Sequence, residues 1–191
     1  MPVSPFEIVG VVTGILGVWL TTRQKVWCWP IGILSVVAFI AVFFRAKLYA
    51  AMGLQVVYVG LAAYGWHAWL HGGAEHGALR VSNLQPRAMA ALGIAGVAVT
   101  LGLGWWLGRQ TDEALPYLDA FTTTFSLVAQ WMQARKKLEN WILWIVVDVA
   151  YVGISLTQGL ALTSGLYVIY VGLALIGYRD WRRSMRAKAA A

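Results

Sequence analysis

The chain has 191 residues, 60% of them hydrophobic and only 12% charged, with a formal net charge of +7. A soluble domain carries about 25% charged residues, and one core of this size cannot hide so much apolar surface, so the composition excludes a water-soluble globule and makes the bilayer the solvent. A single cysteine, Cys28, excludes an internal disulfide and a cysteine-based metal site.

Seven stretches are long enough to cross about 30 Å of hydrocarbon. In chain order they run Phe6–Thr22, Val26–Phe44, Leu48–Leu70, Arg87–Leu107, Pro116–Ala134, Trp141–Thr157 and Leu160–Gly177. The first has no positive leader and carries the acidic Glu7 at its start, unlike a cleaved signal peptide. Eleven Trp and eight Tyr suit a membrane protein, because amphipathic rings collect at the interfaces.

Seven crossings put the termini on opposite sides. With the N-terminus outside, the inner segments hold Arg23, Lys25, Arg80, Arg87, Arg135, Lys136, Lys137, Arg179, Arg182, Arg183, Arg186 and Lys188, against Arg45, Lys47 and Arg109 outside. Basic residues accumulate on the cytoplasmic side, so the expected topology is N-terminus outside and C-terminus cytoplasmic. The basic tail then serves as a topology anchor and a contact for anionic membrane lipid, rather than as a nucleic-acid surface.

An internal repeat organises the chain. Glu7–Trp69 lies over Asp119–Trp181 without a gap, matching Trp19 with Trp131, Arg23 with Arg135, Lys25 with Lys137, Trp29 with Trp141, Tyr58 with Tyr170, Gly65 with Gly177 and Trp69 with Trp181. Shared apolar composition does not explain matched Trp, Tyr, Arg and Lys, so the repeat is a duplication. A three-helix unit ends on the side opposite its start, yet the charges repeat in the same sense. The fourth span, belonging to neither copy, supplies the crossing that restores orientation. The expected fold is an all-α membrane protein with seven transmembrane helices, a 3+1+3 array of two parallel three-helix bundles and a linker helix. The divisions are residues 1–70, 71–115 (loop and linker helix), 116–181 and a basic cytoplasmic tail at 182–191. Parallel repeats of this kind occur in secondary transporters, with the substrate at the repeat interface near the midplane.

A chemically lopsided ligand needs asymmetry, so the candidate site is where the copies differ. Val36 opposes Asp148, Gly32 opposes Trp144, Gln55 opposes Tyr167 and Gly14 opposes Ser126. Asp148 lies deep in the sixth span, where an ionised carboxylate costs several kcal/mol unless it faces a polar cavity or a partner. No Lys or Arg lies in any span at similar depth. The plain alternative is a neutral Asp bonded to a neighbouring helix. Trp144 lies one turn before Asp148, and an aromatic face beside a carboxylate suits a flat cation. Trp141, a turn earlier again, reads as an interfacial anchor.

In the third span Gln55, Tyr58 and Trp66 fall broadly on one side, with Tyr170 as the repeat partner of Tyr58. Glu7 and Asp119 are repeat partners near the outer ends of their spans, suited equally to attracting a cation and to capping a helix. Thr122, Thr123, Thr124 and Ser126 form a hydroxyl cluster from which Thr123 and Ser126 are the site candidates, although such hydroxyls also bond their own backbone. His67 and His71 are spaced for a metal, with His76 and Glu75 following, but a loop at the inner interface is the better reading. Neither a phosphate-binding glycine loop nor a nucleophile elbow is present, so neither catalytic residues, cofactor nor metal is expected, and ATP cannot drive transport from this chain. A membrane enzyme using Asp148 and the histidines is the reading from another class. Glycines and Pro30 are the expected points of bending as the bundles rock.

These residues carry a resemblance. Glu7, Trp29-Pro30-Ile31-Gly32-Ile33, Lys47-Leu48-Tyr49-Ala50 with Leu54-Gln55, Tyr64-Gly65-Trp66-His67-Ala68-Trp69, Asp119 and Glu139-Asn140-Trp141-Ile142-Leu143-Trp144 resemble the PnuC family of nicotinamide riboside transporters. The resemblance covers nearly the whole chain. It implies a seven-helix fold related to the SWEET sugar transporters, and facilitated uptake of a vitamin precursor that a cytoplasmic kinase then traps by phosphorylation. It implies the bacterial inner membrane as the location and a homo-oligomer, a trimer, as the assembly. Gln55, Trp144 and Asp148 match positions expected to bind the small cationic vitamin or nucleoside. Some members carry Asn at the position of Asp148; a carboxylate there suits nicotinamide riboside or thiamine, both cations, better than neutral riboflavin.

Overall fold

A computed structural model describes residues 5–45, 47, 49–74, 77–111 and 115–189. Leu48, Glu75 and His76, which figure in the readings above, lie outside the described residues.

The described residues form seven helices: α1 (Pro5–Thr22), α2 (Cys28–Arg45), α3 (Tyr49–His71), α4 (Pro86–Gln110), α5 (Pro116–Ala134), α6 (Asn140–Thr157) and α7 (Ala161–Ala189). Prolines open α1, α4 and α5, where the missing N–H would have had no helical partner. Pro30 sits in the first turn of α2, where proline is tolerated without loss of a helical bond. The bending expected there therefore has no backbone cause. Helix α7 runs 29 residues, about 43 Å at 1.5 Å per residue, and carries the basic segment on a continuous helix.

Five helices, α1, α2, α4, α6 and α7, are long and apolar enough to cross a membrane. Helices α3 and α5 fall short because they hold Gln55 and three tyrosines in one case, and Asp119, the hydroxyl cluster, Gln130 and Gln133 in the other.

Six helices close a ring in which α1 packs on α2, α2 on α3, α3 on α5, α5 on α6, α6 on α7 and α7 back on α1. Helix α4 stands outside it, packed against α5. Its glycines set that contact, Gly96 against the Phe125 ring and Gly104 against Tyr117.

Contacts inside the ring recur at the repeat offset. The rings of Trp29 and Trp69 meet edge to face at 5.3 Å, as do those of Trp141 and Trp181 at 5.3 Å. Gly65 leaves room for Trp29 and Gly177 for Trp141. Gln24 and Lys136, matching positions, both take a left-handed conformation (φ 54° and 48°) to end α1 and α5. The Trp69 indole donates to the Gln133 carbonyl at 3.1 Å and the Trp181 indole to the Thr21 carbonyl at 2.9 Å, each crossing to the other half.

One feature breaks this symmetry. The segment 79–84, between α3 and α4, lies along the α5–α6 turn. Ser82 N–H donates to the Lys136 carbonyl and Leu138 N–H to the Ser82 carbonyl, at 3.1 and 3.0 Å. Lys137 Nζ reaches Ser82 Oγ at 2.9 Å and Leu84 N–H reaches Glu139 Oε2 at 3.0 Å. Lys136, counted above among the inner-side cations, is buried; its Nζ donates to the Leu79 carbonyl at 2.9 Å and lies 4.3 Å from the centre of the Trp69 ring.

Candidate functional site: the cavity inside the ring

The ring encloses a cavity of about 440 Å³ to which every helix except α4 contributes, a size typical of small-molecule sites. Each wall follows from helical spacing. On α5, Ser126, Gln130 and Gln133 are four and three residues apart and so share a face. On α6, Trp144, Asp148 and Tyr151 do the same, and on α3 the stripe is Gln55, Tyr58 and Ala62.

The two ends of the cavity differ. Trp29 and Trp141 line it near the crossing indole bonds, where α1 and α5 end. Toward the other end lie Gln55, Phe39 and Phe43, and a tyrosine cluster in which Tyr151 and Tyr167 stack at 4.6 Å with their planes 12° apart. Tyr170 meets Tyr167 edge to face at 6.2 Å. Tyr58 lies beside Ser126, and Tyr151 beside Thr122 and Ser126, while Tyr170 abuts Gly14, the repeat partner of Ser126. At three positions where copy one is smooth, copy two carries chemistry: Gly32, Val36 and Gly14 face Trp144, Asp148 and Ser126 across the same space.

Asp148 lines the cavity at 5% exposure. Among the described residues its carboxylate has neither an ion pair nor a hydrogen-bond partner; the one ion pair there is Arg179–Asp180 on the surface. Trp144, a turn away, is fixed by donating its indole N–H to Gln133 Oε1 at 3.0 Å. The cavity thus offers an acceptor for a positive group, a flat ring on one side of it, stacked tyrosines beginning one turn further along α6, and amides and hydroxyls from Gln55, Gln130, Tyr58 and Ser126.

Seven of the ten residues singled out from the sequence line this cavity: Gln55, Tyr58, Ser126, Trp144, Asp148, Tyr167 and Tyr170. Three do not. Trp66 is 38% exposed: the inward stripe of α3 continues from Ala62 through Gly65 and Trp69, and Trp66 sits one position off it. Asp119 shares the α5 face but lies two turns before Ser126, beyond the cavity, where its carbonyl accepts from Thr122 Oγ1 at 3.0 Å. Thr123, between them, does not reach the cavity wall. Trp141, read as an interfacial anchor, is 1% exposed and part of the core. His67 and His71 stack on the exposed side of α3, ring centres 4.8 Å apart.

Sequence reasoning passed over Tyr151 and Gln133. Tyr151 faces Phe39 in the repeat, aromatic against aromatic, and Gln133 faces Thr21, polar against polar. Neither pair shows as a mismatch of type, though both side chains lie on the i, i+3, i+7 faces that Asp148 and Ser126 define.

Comparison with known proteins adds the family. Residues 4–183 match the family described as Nicotinamide mononucleotide transporter. A nicotinamide riboside transporter PnuC of Escherichia coli is 29% identical over 98% of this chain and 89% of its own. A riboflavin/roseoflavin transporter, RibM, of Streptomyces davaonensis is 32% identical over 92% of this chain and 83% of its own. A crystal structure of the vitamin B3 transporter PnuC superposes with a TM-score of 0.73 and 29% identity, covering 94% of this chain and 81% of that one. The match over residues 4–183, with transporters similar along nearly the whole length of a chain that rings a cavity, makes this chain a member of the nicotinamide mononucleotide transporter family.

Proposed function

We propose that this protein carries nicotinamide riboside across the bacterial inner membrane by facilitated diffusion, with phosphorylation in the cytoplasm trapping the product. The observation that carries the reading is the unpartnered Asp148 carboxylate beside Trp144 in a membrane-embedded cavity. A pyridinium ring is a flat cation. It satisfies the carboxylate by charge and the indole by stacking and cation–π attraction, while ribose hydroxyls find Gln55, Gln130, Tyr58 and Ser126. Titration calorimetry on purified protein tests this: binding of nicotinamide riboside supports it, and binding of thiamine with none of nicotinamide riboside overturns it.

A second reading, riboflavin, is favoured by the identity to the riboflavin/roseoflavin transporter. Its neutral ring leaves the Asp148 charge uncompensated, so we rank it below the cationic ligands. The same titration, run with riboflavin, decides between them.

In this reading the chain is a 3+1+3 array, two parallel three-helix bundles (1–70 and 116–181) with α4 as linker, that rock against each other to expose the cavity alternately. The contacts recurring at the repeat offset support it. The charge distribution supports an outside N-terminus and a cytoplasmic C-terminus, and the basic end of α7 suits anionic lipid. Fusions at the C-terminus test the orientation: green fluorescent protein is expected to fluoresce and alkaline phosphatase to stay inactive. A trimer, as the resemblance implies, is tested by native mass spectrometry.

A further inference from the structure

We propose that Gln133 is a positioning residue for binding: its side chain fixes the plane of the Trp144 ring, and its backbone ties that ring to Trp69 in the other repeat. This rests on the reading of the cavity given above.

Gln133 occupies the last turn of α5 and lines the cavity. An indole has one N–H, and that of Trp144 is spent on Gln133 Oε1 at 3.0 Å. The χ2 torsion of tryptophan is broad, so a single directed bond to the ring nitrogen decides how the indole face is presented to the cavity. The Gln133 carbonyl meanwhile accepts from Trp69 Nε1 at 3.1 Å. One residue therefore touches both the ring beside Asp148 and the indole that joins the halves.

The repeat separates these two roles. The carbonyl role is shared, because Thr21 accepts from Trp181 in the same way. The side-chain role is not: Thr21 stands where Gln133 does, Gly32 stands where Trp144 does, and the first copy has no such pair. Gln133 is half-buried in the cavity wall, where an amide left without a partner costs free energy to the extent that it is desolvated, and an apolar residue would avoid that cost. The bond to Trp144 accounts for an amide here, in the copy that also holds Asp148.

The test uses the full chain in detergent and has two arms. In the ligand-free arm, the protein is labelled with 5-fluorotryptophan and the Trp144 fluorine resonance is assigned through Trp144→Phe. Gln133→Leu should shift and broaden that resonance, while Gln133→Glu, which keeps an acceptor oxygen, should leave it narrow. A resonance unchanged by Gln133→Leu overturns the proposal. In the binding arm, Gln133→Leu and Trp144→Phe should each weaken nicotinamide riboside on the order of tenfold, and the double variant should be no weaker than either. Additive losses overturn it. Gln133→Met replaces Gln133→Leu if the latter does not fold. Absence of binding by the unaltered protein sinks the nicotinamide riboside reading, and the fluorine arm still decides the role of Gln133.

Discussion

Trp69 and Trp181 hold matching positions in the two repeats and touch each other, ring centres 5.8 Å apart, while each donates its indole N–H to a carbonyl in the opposite half. Both rings are buried, at 2% and 0% exposure. Trp69→Phe or Trp181→Phe keeps an aromatic body and removes the crossing bond, leaving Gln133 O or Thr21 O without that donor. Each carbonyl keeps a backbone donor, Lys136 N–H on Gln133 and Gln24 N–H on Thr21, so the loss is that of one hydrogen bond, about 0.5–1.5 kcal/mol. Thermal melts of purified protein should show the larger loss for Trp69→Phe, because Lys136 Nζ also lies 4.3 Å from the centre of the Trp69 ring and phenylalanine holds a cation less well than tryptophan.

The glycines under these rings give a sharper contrast. A Cβ at Gly65 would run into Trp29, and one at Gly177 into Trp141. Gly60 and Gly172, also repeat partners, would meet nothing within 4 Å. Gly65→Ala and Gly177→Ala should destabilise by about 1–3 kcal/mol through overpacking. Gly60→Ala and Gly172→Ala should be neutral or mildly stabilising, since Ala is a better helix former by about 1 kcal/mol. Melting the four variants side by side checks the prediction, and equal effects at all four would contradict it.

Asp148→Asn keeps the shape of the side chain and removes its charge. A hydrogen bond to a charged group contributes about 1.5–3 kcal/mol, so affinity for nicotinamide riboside should drop by roughly ten- to a hundredfold. Riboflavin, being neutral, should not follow. Calorimetry with both ligands reads the difference, and unchanged affinity for the cation would remove Asp148 from the site.

How much of this was legible follows from what kind of contact is involved. The repeat exposed Asp148 and Trp144, because a duplicated scaffold makes a charged residue facing Val36, or an indole facing Gly32, stand out at once. Helical spacing placed Gln55 and Tyr58 on the cavity side, and failed for Trp66 because, although three turns bring it within about 20° of Gln55, it falls on the side of Gln55 away from Tyr58, Ala62 and Trp69. Asp119 shared a face with Ser126 but not its depth, and spacing alone carries no depth. Tyr151 and Gln133 matched their partners in type and so drew no notice. The strap at 79–84 left no trace, since hydrogen bonds between a connecting segment and a distant turn impose no periodicity.

That strap has its own test. The Leu84 N–H is held by the Glu139 carboxylate at 3.0 Å, and Leu84 is buried. Glu139→Ala should speed hydrogen exchange at Ser82, Asn83 and Leu84 without touching the amides of α1 or α2. Exchange read by mass spectrometry would show it; unchanged protection would mean that the backbone bridges to Lys136 and Leu138 suffice.

The polarity of α5 bears on how the chain enters the bilayer. A segment with a carboxylate, several hydroxyls and two glutamines partitions poorly by itself during synthesis, yet the cavity requires those groups. Helix α4, made first and packed on α5 through Gly96 and Gly104, is apolar enough to insert unaided and can escort its successor. An insertion assay on α5 alone and on α4–α5 together should find efficient membrane integration only for the pair; integration of α5 by itself would refute the escort. A helix absent from the cavity would then owe its place to biogenesis, allowing a neighbour to be polar enough to handle the cargo.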